Sequence, residues 1–175
     1  PYKVSGGQSF FDRAEIKDLC AWLRLWINED DDPAFLRAVT VPKRGIGHQT
    51  LASLGEFAGK ARLSLFGALF AHSLPAALPA RAIAGLHEFG RLLNDLRHRA
   101  GHTTGHEAAR SFLADWLKDI GYEQHLHDSA DSAPQASARW QNVLEFCDWM
   151  AGRCGGQIED AAGVTLRQEP KSLLE

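Results

Sequence analysis

The chain has 175 residues, of which 45% are hydrophobic and 23% charged, with a formal net charge of −3. That length suits one domain with its own core, or one domain plus a piece of another, and the composition is that of a globular protein rather than a disordered or fibrous one. No apolar run approaches the roughly 18 residues of a membrane span, the odd set of cysteines (Cys20, Cys147, Cys154) suits a reducing cytoplasm better than a disulfide framework, and the mildly acidic balance does not announce nucleic-acid binding, although a local basic patch can sit on such a protein.

In chain order, "PYKVSGGQSFF" predicts a short strand and a glycine turn. A lone strand cannot satisfy its backbone groups, so its sheet is expected elsewhere in a longer parent protein. "DRAEIKDLCAWLRLWIN" spaces Ile16, Leu19, Cys20, Leu23 and Ile27 along one helical face, with Trp22 and Trp26 on its flank. Asp12 and Glu15 there have the spacing of a capping box. "NEDDDPAFLRAV" predicts a helix with Asp32 as its cap and Pro33 in its first turn. The acidic run before it lacks the glycine and late glutamate of a calcium loop, so a solvated turn plus a cap is the better reading.

After Pro42 comes "KRGIG", then a helix with Leu51, Leu54, Phe57 and Ala58 on one face. "SLFGALFAHSL" predicts another helix, and "LPARAIAGLHEFGRLLNDLRHRA" a long one. The next carries Ala109, Phe112, Leu113, Trp116 and Ile120 inward. "DSADSAPQASA" is expected to be a polar loop, and "RWQNVLEFCDWMAGRC" a helix burying Val143, Leu144, Cys147 and Met150. The tail carries little pattern. The fold class is therefore mainly α, with one strand at the front.

Among candidate sites, the Gly45-Ile46-Gly47 turn stands first. Its glycines permit positive φ and close approach of another backbone, and the helix that follows presents free N–H groups and the positive end of its dipole. Such a terminus binds phosphate readily. Lys43 and Arg44 add cations and Thr50 a hydroxyl, and residues 33–62 carry Arg37, Lys43, Arg44, Lys60 and Arg62 against Glu56, a formal +4. Spacing alone leaves two readings level: a hairpin that grips nucleic-acid phosphates, or a plain helix–helix turn with solvated cations.

Other patterns favour the plain reading. His98, His102 and His106 recur at helical spacing, but Gly101 and Gly105 interrupt them and no carboxylate or cysteine completes a metal set. Phe10 and Phe11 suit core packing better than base stacking. No phosphate-binding Gly-x-x-x-x-Gly-Lys-Ser/Thr loop, nucleophile elbow or catalytic triad occurs in the sequence. No catalytic residue and no metal ligand is assigned.

The ordered run Gly6-Gly7, Phe10-Phe11, Arg13, Glu15-Ile16-Lys17-Asp18, Asp30-Asp31-Asp32, Phe35-Leu36-Arg37, Pro42 and Arg44-Gly45-Ile46-Gly47 resembles superfamily 1A DNA helicases of the UvrD/PcrA/Rep type. "FLADWLKDIGYEQHL" and "ARWQNVLEFCDWM" are similar to later segments of that family, the latter closest to its Rep branch. The resemblance implies residues 1–20 as the end of a RecA-like 2A segment and 21–175 as an all-helical 2B subdomain, an orthogonal helical bundle. It implies that ATP and Mg²⁺ are handled by motor domains of the parent, with no cofactor in this segment. It also implies duplex DNA at a single-strand/double-strand junction as partner, held by its backbone through Lys43, Arg44, Gly45, Ile46, Gly47 and Thr50. The resemblance further implies a second helix-hairpin contact at "DIGY", Asp119–Tyr122. The parent's own motor domains and replication proteins are further partners, with no membrane, in a bacterial cytoplasm. The 2B region regulates unwinding in this family; the alternative is a protein-interaction or autoinhibitory module with little DNA affinity of its own.

Overall fold

The computed structural model describes residues 10–154, 156–159, 165–168 and 174. The strand expected over residues 1–9 lies outside them. Among the described residues there are eight α-helices: α1 Ala14–Ile27, α2 Asp32–Thr40, α3 His48–Ala61, α4 Leu65–Ala68, α5 Ala80–His102, α6 His106–Ile120, α7 Tyr122–Ser129 and α8 Ala133–Gly152. Two strands follow, β1 Gly156–Glu159 and β2 Thr165–Gln168, paired antiparallel with Gly156 opposite Gln168. The tail, which carries little sequence pattern, thus forms a small ladder. The mainly α expectation holds.

The chain divides into two compact units, one of residues 17–95 and one of residues 1–16 with 96–175. In the first, α1 turns more of its surface inward than its periodicity suggests. Trp22 and Trp26 are wholly buried, while Ile27, expected inside, is exposed. Large rings remove more water-accessible apolar area than an isoleucine, so the helix settles with the indoles inward. Phe35 and Trp22 both meet Phe89 of α5 edge-on, at 5.4 and 5.5 Å between ring centres.

The acidic run does local work. Asp31, one residue before the expected Asp32, caps α2 by accepting from the Ala34 amide at 3.1 Å. Asp32 instead accepts from the Leu65 amide at 2.9 Å, and Asp30 accepts from the Ser64 hydroxyl at 2.6 Å. The acids therefore tie the start of α2 to the start of α4. The expected helix over "SLFGALFAHSL" is only the single turn of α4 and a 3-10 turn at Leu74–Ala76. Leu69 and Phe70 press on Gly90 of α5 so closely that a Cβ there would lie 2.9 Å from the Phe70 ring. A glycine in mid-helix is what allows that approach.

In the second unit, α6 buries Ala109, Phe112, Leu113 and Trp116 as expected, and Gly121, at φ +68°, ends it in a left-handed cap. The helix α7 that follows was not expected. The polar stretch 128–138 is largely helical too, because Ser132 caps α8 by accepting from the Gln135 amide and Pro134 sits in its first turn. Along α8 the inward set is Val143, Phe146 and Cys147, and Leu144 faces out. Phe11 meets Phe146 and Trp149 at 6.4 and 5.5 Å, a packing role. Glu15 accepts from the Asn142 side-chain amide at 2.8 Å. Burial, with Asp148 beside it, pushes the Cys147 thiol up to about 12, so it is an inert core thiol at neutral pH.

Candidate nucleic-acid interface

The turn from α2 to α3 lies wholly within residues 17–95. Val41 ends α2 with its amide donating to the Arg37 carbonyl, and its own carbonyl accepts from the Trp22 indole N–H at 3.1 Å. From there the chain alternates. Pro42 is buried and Arg44 and Ile46 are half-buried, whereas Lys43, Gly45 and Gly47 are exposed. Ile46 is the plug, its Cγ1 lying 3.8 Å from where a Cβ on Gly85 of α5 would be.

The two glycines differ in kind. Gly45 holds φ +80°, a conformation that side chains strain to adopt. Gly47 is extended, with φ −93° and ψ 174°, and any residue could take that shape. A Cβ on either would meet no described atom within 4 Å. The fold of this unit therefore gives no steric reason for glycine at position 47; a close approach from outside would.

Gly47 is the N-cap of α3 and no side chain caps the helix. The amide of Leu51 is taken by the Gly47 carbonyl, which leaves the amides of His48, Gln49 and Thr50 directed out of the helix end. Thr40, Lys43, Arg44, Gly45, Ile46, Gly47, His48 and Leu51 line a concavity of about 450 Å³ at this point. Five of the six residues singled out from the sequence are brought together there. Thr50 is half-buried on the first turn of α3 and does not line it. His48 and Thr40 were missed. His48 is the first helical residue of α3, a position visible only once the helix start is fixed.

The basic patch is smaller than its formal +4. Arg37 donates to Asp18 at 2.8 Å, and Lys60 pairs with Glu56 at 3.1 Å. Arg44 lies over two rings, its guanidinium carbon 5.2 Å from the centre of Trp22 and 5.2 Å from that of Phe89. Burial pushes this guanidinium down to about 10, partly offset by the Glu88 carboxylate, so it stays charged at neutral pH. Lys43 is the cation that stands open beside the glycines.

Elsewhere the candidates take structural places. His98 and His102 pack ring on ring at 4.4 Å, and His106 lies beside Glu107. At the second hairpin, Gly121 is exposed, but Tyr122 is wholly buried and donates to the Glu15 carbonyl at 3.3 Å, while Asp119 pairs with Arg99. No helix among the described residues is long and apolar enough to cross a membrane.

The sequence profile of the UvrD-like helicase C-terminal domain matches residues 1–79. The chain is 41% identical over 168 residues to the ATP-dependent DNA helicase Rep of Salmonella typhimurium, covering 96% of this chain and 24% of that protein. It is 46% identical over 167 residues to Rep of Buchnera aphidicola, covering 95% and 24%. Against the ATP-dependent DNA helicase PcrA of Bacillus subtilis it is 33% identical over 145 residues, covering 83% and 19%. The chain thus spans about a quarter of the length of the Rep proteins it matches.

Proposed function

Since this chain is a segment of the UvrD/Rep helicase type, we propose that it is the accessory 2B region of an ATP-dependent 3′-to-5′ DNA helicase of the bacterial cytoplasm. In this reading residues 1–20 end a motor segment and 21–175 form the 2B subdomain. The turn at Lys43–Gly47, with Thr50, holds duplex phosphates near a single-strand/double-strand junction, and the grip modulates unwinding. The sequence has no phosphate-binding loop to cradle ATP and Mg²⁺, so no step of nucleotide chemistry is assigned to these residues.

The observation that carries the reading is the open, uncapped start of α3 under two glycines with nothing above them, and the exposed Lys43 alongside. Free helix N–H groups, the positive dipole end and an exposed cation suit an oxygen-rich anion whose backbone comes close. No base-reading groups are needed, because phosphate contacts position without specifying sequence.

The test is fluorescence anisotropy of a labelled duplex bearing a single-stranded tail, titrated with the 175-residue chain at rising salt. We expect a dissociation constant on the order of 10⁻⁴ to 10⁻⁶ M near physiological salt, with log K falling by about 0.9 per neutralised phosphate. Lys43→Ala should reduce that slope by about 0.9. Absence of binding at low salt, or binding indifferent to salt, overturns the reading.

A second reading has its own observation. Residues 17–95 expose the large apolar side chains Ile27 (61%), Leu36 (42%), Leu63 (42%) and part of Phe70 (45%). A surface of that kind suits an autoinhibitory contact with the parent's motor domains or with a replication protein. Salt-insensitive association, in place of phosphate binding, would favour it.

A further inference from the structure

Within the phosphate grip proposed above, on which this inference rests, we infer that Arg44 is a positioning residue: its guanidinium, held over the rings of Trp22 and Phe89, sets the Gly45–Gly47 turn, and of the two adjacent cations Lys43 meets the phosphate.

Three inward anchors hold the turn. The Trp22 indole donates to the Val41 carbonyl, Arg44 lies over the same indole, and Ile46 lies against α5 at Gly85. The residues between them, Lys43, Gly45 and Gly47, face out. Pulling Arg44 outward to reach a ligand would remove the middle anchor and release the backbone that presents the amides.

Its chemistry fits that place. The Arg44 Nε–H is buried and finds no hydrogen-bond partner among the described residues, so what the described residues offer this guanidinium is chiefly the two rings. Trp22 and Phe89 lie edge to face at 63°, and the guanidinium is equidistant from both ring centres at 5.2 Å. A planar, weakly hydrated guanidinium stacks on rings in a way that a strongly hydrated lysine ammonium does not. Arg44→Lys therefore keeps the charge and loses the anchor.

The experiment titrates the tailed duplex with the 175-residue chain and its Arg44→Lys, Arg44→Ala, Lys43→Arg and Lys43→Ala variants across salt. Arg44→Lys should lose roughly three- to tenfold in affinity, the range of a partly desolvated cation–π contact, while keeping the wild-type salt slope. Lys43→Arg should keep both, and Lys43→Ala should lower the slope by about 0.9. Arg44→Lys within twofold of wild type, with Arg44→Ala lowering the slope by about 0.9, would make Arg44 a direct phosphate contact and overturn the inference.

A second arm needs no DNA. In amide NMR spectra Arg44→Lys should move the Trp22 indole N–H and the Gly45 and Gly47 amides, and Lys43→Ala should leave the Trp22 indole in place. Unmoved Trp22 and glycine resonances in Arg44→Lys would overturn the positioning role. Phe89→Leu, which keeps an apolar core residue but removes one ring, repeats this arm if Arg44→Lys folds poorly. If the wild-type chain binds no duplex, the phosphate reading falls, and the spectra still decide whether Arg44 sets the turn.

Discussion

Trp22→Ala is expected to destabilise the chain by about 3–5 kcal/mol, the cost of emptying a wholly buried aromatic site that cannot fully collapse. The residue supports more than the core. Its indole packs on Phe89 at 5.5 Å, carries Arg44, and donates to the Val41 carbonyl at the start of the candidate turn. Removing it leaves a cavity, an unpaired carbonyl and a loosened guanidinium at once. Trp22→Phe keeps most of the apolar volume and loses the donor, so about 1–2 kcal/mol is expected, the range for orphaning one partner of a partly buried hydrogen bond. Urea unfolding of the three proteins checks this. Near-equal losses for Phe and Ala would mean that the hydrogen bond, not the packing, dominates.

Tyr122→Ala should cost a similar amount, about 3–5 kcal/mol, in the unit that contains α6–α8. Tyr122 is wholly buried at the start of α7, directly after the left-handed cap at Gly121. Its ring leans on His125 at 5.4 Å, and its hydroxyl reaches the Glu15 carbonyl, 107 residues away in sequence. That bond is long at 3.3 Å, so Tyr122→Phe should lose no more than about 1 kcal/mol. The prediction bears on function as well. A tyrosine that holds the core cannot also reach out to DNA, so the "DIGY" turn would act through its exposed Gly121 backbone or not at all. Thermal unfolding of Tyr122→Ala within about 1 kcal/mol of wild type would contradict the placement.

Which parts of this were legible in the sequence depended on the range of the forces involved. The long helices α5, α6 and α8 announce themselves by apolar spacing, because one buried face suffices to specify them. The cap of α2 was misplaced by one residue. In "EDDDP" three aspartates compete for the position, and what separates them is that Asp30 and Asp32 are engaged by Ser64 and Leu65, more than 30 residues on. The stretch 64–74 has helical composition but folds as one turn, since Leu69 and Phe70 must meet Gly90. The start of α8 was hidden by polarity, although Ser132 and Pro134 are the cap and first-turn residues that local rules name.

The candidate site shows the same division. Gly45 and Gly47 at a helix start were readable from spacing alone. The environment of Arg44 was not, because counting charges treats it like Lys43. Trp22 lies 22 positions before it and Phe89 45 positions after it in the chain, and only the packing of α1 against α5 brings their rings to it. Ion pairs tie Arg37 to Asp18 and Lys60 to Glu56, which leaves Lys43 open beside the helix amides, Arg44 over its two rings and Arg62 exposed at the far end of α3.

The central claim is that phosphates approach the open end of α3. Amide NMR of the ¹⁵N-labelled chain, titrated with a duplex carrying a single-stranded tail, tests it most directly. The account predicts that the backbone amides of Gly45 through Thr50 shift earliest and furthest, and that added salt returns them to their free positions. Shifts confined to other surfaces while those amides stay still would contradict it.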